Sequence, residues 1–172
     1  MLKSDPQRQE VTLPAEALAG LREALAAELG EDGARRALRQ AGAAVGRSLG
    51  AVLAGNADDV RGLPAAAFWR RFSDLLASRG WGRLEFSDAG GAVGALEGGD
   101  WAESRRAAGG DRGRCDLSAG MLEAMLRRVA GENIAVREVE CRADGDAHCR
   151  FLFGAPERVE RAAAHATTGS AA

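Results

Sequence analysis

The chain has 172 residues, 46% apolar and 28% charged, and a formal net charge of −2. That balance excludes an intrinsically disordered chain, and the near-neutral charge leaves no basic footprint of the kind that nucleic-acid binders carry. No run approaches the roughly 20 consecutive apolar residues of a membrane span. The N-terminus "MLKSDPQRQEVTLPAE" lacks an apolar signal core, so a cytoplasmic protein with reduced thiols is expected.

A chain of this length folds most economically as one domain, burying roughly 70% of its unfolded surface. Residues 1–13 read as a flexible leader, residues 14–160 as the single domain and residues 161–172 as a disordered tail. Pro14 opens a first helix whose Leu18, Leu21, Leu25 and Leu29 recur at helical spacing up to Gly30. A second helix follows over about 32–54, with Leu38, Gly42, Val45, Leu49 and Val52 on one stripe and Arg35, Arg39 and Arg47 off it. Gly42, Gly46 and Gly50 stand four apart, a spacing that predicts very close packing against another element, with homodimerisation as one use of it.

"GNADDVRGLP" is a loop, and a third helix starts at Pro64 with Phe68, Phe72, Leu75 and Leu76 on one face. Periodicity then changes. "WGRLEFSD", "GAVGALEGG" and "DWAESR" are short segments separated by Asp/Gly turns and predict an antiparallel meander, with "SDAGG" as a hairpin turn. "ESRRAAGGDRGRC" is a Gly-rich solvated loop. "CDLSAGMLEAMLRRVAG" predicts a helix, with Asp116 or Ser118 near its cap and Gly131 as its stop. "NIAVREVECR" and "AHCRFLFG" form a second hairpin around "ADGD", and a polar helix follows from Pro156. This order predicts an α+β fold with helices packed on an antiparallel sheet.

Several chemistries are missing. No strand–glycine–helix motif cradles a nucleotide phosphate, and the only histidines are His148 and His165, so a hydrolytic triad has little to build on. The three cysteines are more informative. Cys115 opens a predicted helix while Cys141 and Cys149 bracket a hairpin turn, and nearby acids could complete a tetrahedral metal site; the alternative is three cysteines simply buried in the core. Spacing leaves the fourth ligand open among Glu138, Glu140, Asp144, Asp146 and His148. Strand parity places Glu138 and Cys141 on opposite faces unless a bulge intervenes.

Residues 115–154, with the pattern "CDLSAGMLEAMLRRVAGENIAVREVECRADGDAHCRFLFG", resemble the 4-vinyl reductase domain family. "QAGAAVGRSLG" and "GDWAES" extend the similarity over residues 14–160. The resemblance implies a fold like that of subunits of the TRAPP tethering complex, an α/β plait. Related domains are the sensors of aromatic-responsive transcription activators, in which three cysteines and a glutamate hold zinc beside a pocket for a phenolic effector. Carried onto this chain, the implied ligands of a structural Zn2+ are Cys115, Glu138, Cys141 and Cys149.

The aromatic residues suggest where a ligand would sit. Phe68, Trp69, Phe72, Phe86 and Trp101, with Met121 and Met125, are the expected pocket, Trp101 foremost because it offers a ring face and one N–H donor. The chain has no Tyr, so the expected ligand is a hydrophobic or aromatic molecule rather than a phenol specifically. The expected function is therefore a non-enzymatic, zinc-stabilised binding module, cytoplasmic and homodimeric, which signals to or delivers its ligand to a protein partner. The alternative is a tetrapyrrole carrier or accessory protein in vinyl reduction, since no nicotinamide or flavin motif supports catalysis itself. A third reading is a structural interaction protein whose pocket is filled by its own side chains.

Overall fold

The computed structural model describes residues 11–55, 62–105, 114–130 and 133–169. Most of the leader, the "NADDVR" loop, the centre of the Arg-rich loop and Gly131 lie outside the described residues. Four helices pack on a four-stranded sheet: α1 (Ala15–Ala54), α2 (Ala65–Ser78), β1 (Glu85–Gly90), β2 (Val93–Gly98), α3 (Asp116–Ala130), β3 (Ala135–Glu140), β4 (Cys149–Gly154) and α4 (Pro156–Gly169). The sheet is antiparallel throughout, in the order β1-β2-β4-β3. The predicted α+β architecture is thus the observed one. No helix among the described residues is long and apolar enough to cross a membrane.

α1 joins the two helices read from the sequence. Gly30, at φ 70° and ψ 167°, breaks the helical path between them, a conformation open to glycine at little cost. The two halves differ in burial. The second half buries Ala34, Leu38, Gly42, Gly46, Leu49, Gly50 and Leu53, whereas the first half buries nothing and leaves Leu21 and Leu29 45% and 55% exposed. The predicted leucine stripe of the first half is therefore only partly covered within the chain.

The glycine spacing is spent inside the molecule. A Cβ on Gly42 would collide with the Leu117 carbonyl oxygen, one on Gly46 with that of Met121, and one on Gly120 of α3 with that of Arg39. Backbone meets backbone along this seam, which brings α1 and α3 closer than side chains would permit. A homodimer through these glycines is ruled out by the same contact, because α3 already occupies the stripe.

Strand parity divides the sheet into two covered faces. Leu96, Val136 and Phe151 point to one core, shared with Leu49 and Leu53 of α1, Phe72 and Leu76 of α2, and Met121, Leu122 and Met125 of α3. Val93, Ala95 and Leu152 point to the other, where Val159 and Ala163 of α4 close over them. α4 continues to Gly169, past residue 160, where the sequence reading ends the domain. Apolar residues at helical spacing on a sheet face keep it folded there.

Two hairpin details also depart from expectation. β1 and β2 are joined at Gly91 and Ala92, both at φ near +60°, a turn of two left-handed residues that suits the twist of paired strands. "DWAESR" is no strand: Trp101 leads into a 3-10 turn at Ala102–Ser104, tied to Trp81 through the Ala102 N–H.

The seam yields a paired test. Gly46→Ala should lower the thermal midpoint, because overpacking costs about 1–3 kcal/mol and exceeds the roughly 1 kcal/mol by which Ala favours a helix. Gly20→Ala, where a Cβ would meet nothing within 4 Å, should leave the midpoint unchanged or raise it. Calorimetry on both variants checks the sign of each.

Candidate metal centre

Three elements deliver four donor side chains to one buried point. Cys115 sits immediately before α3, where its carbonyl accepts the Ala119 N–H at 2.9 Å. Cys149 begins β4, and Cys141 follows β3. Glu138 reaches the same point because β3 carries a bulge: Glu138 pairs with Phe151 but Glu140 pairs with Arg150, so Val139 is one residue too many for the ladder. The extra residue turns Val139 toward α4 and returns Glu138 and Cys141 to the same side of the sheet.

The ligand-type atoms of Cys115, Glu138, Cys141 and Cys149 all lie within 4.8 Å of one another, and all four residues are buried. The Cys115 sulfur stands 3.8 Å from that of Cys141 and 3.7 Å from that of Cys149. Those separations exclude a disulfide, whose sulfurs lie about 2.05 Å apart. They match the edge of a tetrahedron with metal–sulfur bonds of about 2.3 Å, which is about 3.8 Å. Glu138 accepts the Cys115 backbone N–H through Oε2 at 2.8 Å, while its Oε1 is buried with no hydrogen-bond partner. An orphaned buried carboxylate oxygen among three thiols is the donor set that a divalent cation completes. The residues present thus fit a metal ion.

The electrostatics show what the four groups do without one. Burial, then the neighbouring Cys141, pushes the Glu138 carboxyl up to about 9. Bonds to the sulfurs of Cys141 and Cys149, with burial, push Cys115 well above the ordinary thiol range. Cys141 is drawn down by Cys115 but ends raised, because the Cys149 bond and burial outweigh that pull. Cys149 takes the negative charge: its pKa falls to about 4 as both other cysteines hydrogen-bond to it. Backbone N–H groups of the turn add to this, Arg142 donating to the Cys149 sulfur and Ala143 to that of Cys141.

The other acids open to the sequence reading are engaged elsewhere. Asp146 accepts the Cys141 N–H through Oδ2 at 2.7 Å and so shapes the turn. His148 and Arg150 both pair with Glu140 on the outer face of the sheet, at 3.0 and 3.5 Å.

Two residues that shape the approach to the cluster were invisible to sequence reasoning. Glu103, read as part of a solvated loop, accepts the N–H groups of Leu117 and Ser118 at 3.0 and 2.6 Å and thereby caps α3. Asp116, expected at the cap, is instead buried in an ion pair with Arg22 at 2.9 Å. A cap supplied from 14 residues upstream leaves no local signature, since capping side chains ordinarily come from the first residue of the helix. Glu103 is held near pH 7 by its burial.

The seven aromatic and sulfur side chains expected to line a pocket pack largely against one another. Trp69 stacks on Phe86 with centroids 4.5 Å apart and meets Phe68 and Phe72 edge-on at 4.8 and 5.6 Å. Phe72, Trp101, Met121 and Met125 are fully buried, whereas Phe86 is 42% exposed. Trp101 donates its Nε1–H to the Ser118 Oγ at 2.7 Å and faces Trp81 and Phe151 at about 6 Å. Two cavities open elsewhere. One, of about 520 Å³, lies between the end of α1 and α2 and is lined by Val52, Leu53, Ala67 and Leu75 with Arg70, Arg71 and Asp74. The other, of about 300 Å³, has Glu138 in its wall.

No curated protein sequence matches the chain. Among solved structures, it is similar to the crystal structure of the phenol-responsive sensory domain of the transcription activator PoxR with phenol. The TM-score is 0.71 at 22% identity, over 92% of this chain and 82% of that one. The two share the fold. Residues 101–155, from Trp101 through the four clustered donors to the end of β4, match the family model of the 4-vinyl reductase domain, the family to which the cysteine-bearing signature is similar.

Proposed function

We propose that this chain is a sensor-type binding module in which Cys115, Glu138, Cys141 and Cys149 hold a structural zinc ion and the aromatic layer beside them receives a small hydrophobic or aromatic molecule. The observation that carries the reading is the buried set of three sulfurs and one unpartnered carboxylate oxygen. Four protein ligands leave no open position for a reacting water, so the ion ties α3 to the β3–β4 hairpin and performs no turnover. The likeness of the whole fold to a phenol-responsive sensory domain, and the family match over the metal-bearing segment, support the ligand class. Phe68, Trp69, Phe72, Phe86, Trp101, Met121 and Met125 form that layer, and a ring that enters it has to separate aromatic contacts now closed. The tetrapyrrole alternative gains no observation, since neither cavity is lined by these residues.

We place the module in the cytoplasm, where its thiols stay reduced, and we propose that it works as a homodimer that passes its state to a protein partner. With the glycine seam taken, the surface for pairing is the first half of α1, where Leu13, Leu21 and Leu29 are 62%, 45% and 55% exposed. Apolar side chains in such a row on a helix mark an interaction face.

The metal reading is tested by proton release. At pH 7 the metal-free cluster holds protons on Cys115, Cys141 and Glu138 and none on Cys149, so zinc binding should expel about three protons per ion. Because protons compete for the same atoms, affinity should climb as pH rises toward about 9, the Glu138 value. A pH-stat titration with zinc, beside elemental analysis of the purified protein, measures both. Absence of stoichiometric metal, together with a melting curve insensitive to a strong chelator, would falsify the structural-zinc reading. Cys141→Ser should abolish stoichiometric binding.

The pairing surface has its own test. Leu21→Glu should convert a dimer to a monomer in light scattering while leaving metal content unchanged; a wild-type monomer at high concentration would remove the dimer from the proposal.

A further inference from the structure

The 300 Å³ cleft behind Glu138 gathers charge of one sign. Its lining is Arg35 and Arg39 from α1, Arg114 from the segment before α3, Arg137 from β3, and Asp116, Ala119 and Glu138. Four guanidinium groups from three elements converge there in a chain whose net charge is −2. Neither acid in the wall is available to balance them. Asp116 is paired with Arg22 at 2.9 Å, and Glu138 belongs to the four-donor cluster.

The four cations are not equivalent. Arg39 is held in place, donating to Glu123 at 3.0 Å and to the Val136 carbonyl at 3.2 Å, with Glu123 in turn bound to the Val136 N–H. Arg35 and Arg137 make only long, exposed ion pairs, at 3.4 Å with Asp32 and 3.7 Å with Glu160. Such pairs contribute about 0–1 kcal/mol and are easily exchanged. The Arg114 guanidinium has no hydrogen bond or ion pair among the described residues, although its backbone carbonyl is anchored by Arg22 at 2.7 Å. One fixed guanidinium and three exchangeable ones around a ligand-sized cavity make an arrangement suited to planar, bidentate recognition of oxyanions.

We propose that this cleft binds a small dianion, a dicarboxylate or a phosphate monoester, through Arg35, Arg39, Arg114 and Arg137. The volume lies at the lower end of the about 300–1,000 Å³ typical of small-molecule sites, which suits a ligand of a few carbon atoms and excludes a polymer. The site is separate from the aromatic layer and does not depend on the identity of the metal.

The test is isothermal titration of the full chain, as purified, with succinate and with inorganic phosphate as probes, each against chloride at matched ionic strength. Saturable binding of one equivalent is expected for at least one probe, and which probe binds distinguishes the carboxylate from the phosphate source. Affinity should fall as salt is raised. The double variant R114Q/R137Q changes exposed side chains only, so it should keep the wild-type melting temperature while weakening the probe at least tenfold. No saturable binding of either probe, or equal binding by the variant, overturns the proposal.

Discussion

The structure depends on bringing three sulfurs and a carboxylate into one dry site with no cationic side chain among them. Such groups cannot all be ionised away from water. Without a cation, the cluster keeps protons on Cys115, Cys141 and Glu138 and concentrates its charge on Cys149, where the turn's N–H groups meet it. With one, the same four atoms become ligands, and elements far apart in sequence are tied at a single point. Burial makes the arrangement costly in the first case and cohesive in the second.

What aims Cys115 at that point is the seam between α1 and α3. Gly42 and Gly46 let the α3 backbone rest against α1, and Gly120 returns the same accommodation. Arg22 then anchors the chain just before α3 through Asp116 and the Arg114 carbonyl, while Glu103 holds the Leu117 and Ser118 N–H groups. Cys115 is thereby fixed by backbone contacts on three sides before any ligand is considered. Such over-determination suits a metal ligand, whose affinity depends on supporting contacts as well as donor identity.

The sequence made helix periods legible because each helix has one apolar face and a glycine or proline at its ends, and the kink at Gly30 falls where the leucine spacing stops. It also showed that the glycine stripe must meet something closely, but not whether the partner was another copy or α3, since both give the same spacing. The Val139 bulge was illegible for a comparable reason. Parity alone set Glu138 against Cys141, and one inserted residue, which leaves no mark in composition, reversed it. Trp101 was misread as a strand residue because its segment is short, extended and flanked by turn formers. Only the Ala102 bond to Trp81 and the following 3-10 turn show that it leaves the sheet. Glu103 and Arg22 act across the fold, 14 and 94 residues from their partners, and local patterns cannot report such contacts.

The layout also couples the aromatic layer to the metal cluster. Trp101 gives its N–H to the Ser118 hydroxyl, and Ser118 belongs to the first turn of α3, three residues after Cys115. A ligand that takes the indole N–H must release that hydroxyl, whose neighbouring backbone N–H is held by Glu103. The Glu103 pKa of about 7 reflects burial opposed by its hydrogen bonds to Ser118 and Leu117, so any change in those bonds alters the proton on Glu103 as well. Occupancy beside Trp101 is thus felt at the start of the helix that carries a metal-ligand residue, through bonds no longer than 3.0 Å. A rigid seam on one side of α3 and an exchangeable hydrogen bond on the other are the physical requirements for a domain that registers a bound molecule without transforming it.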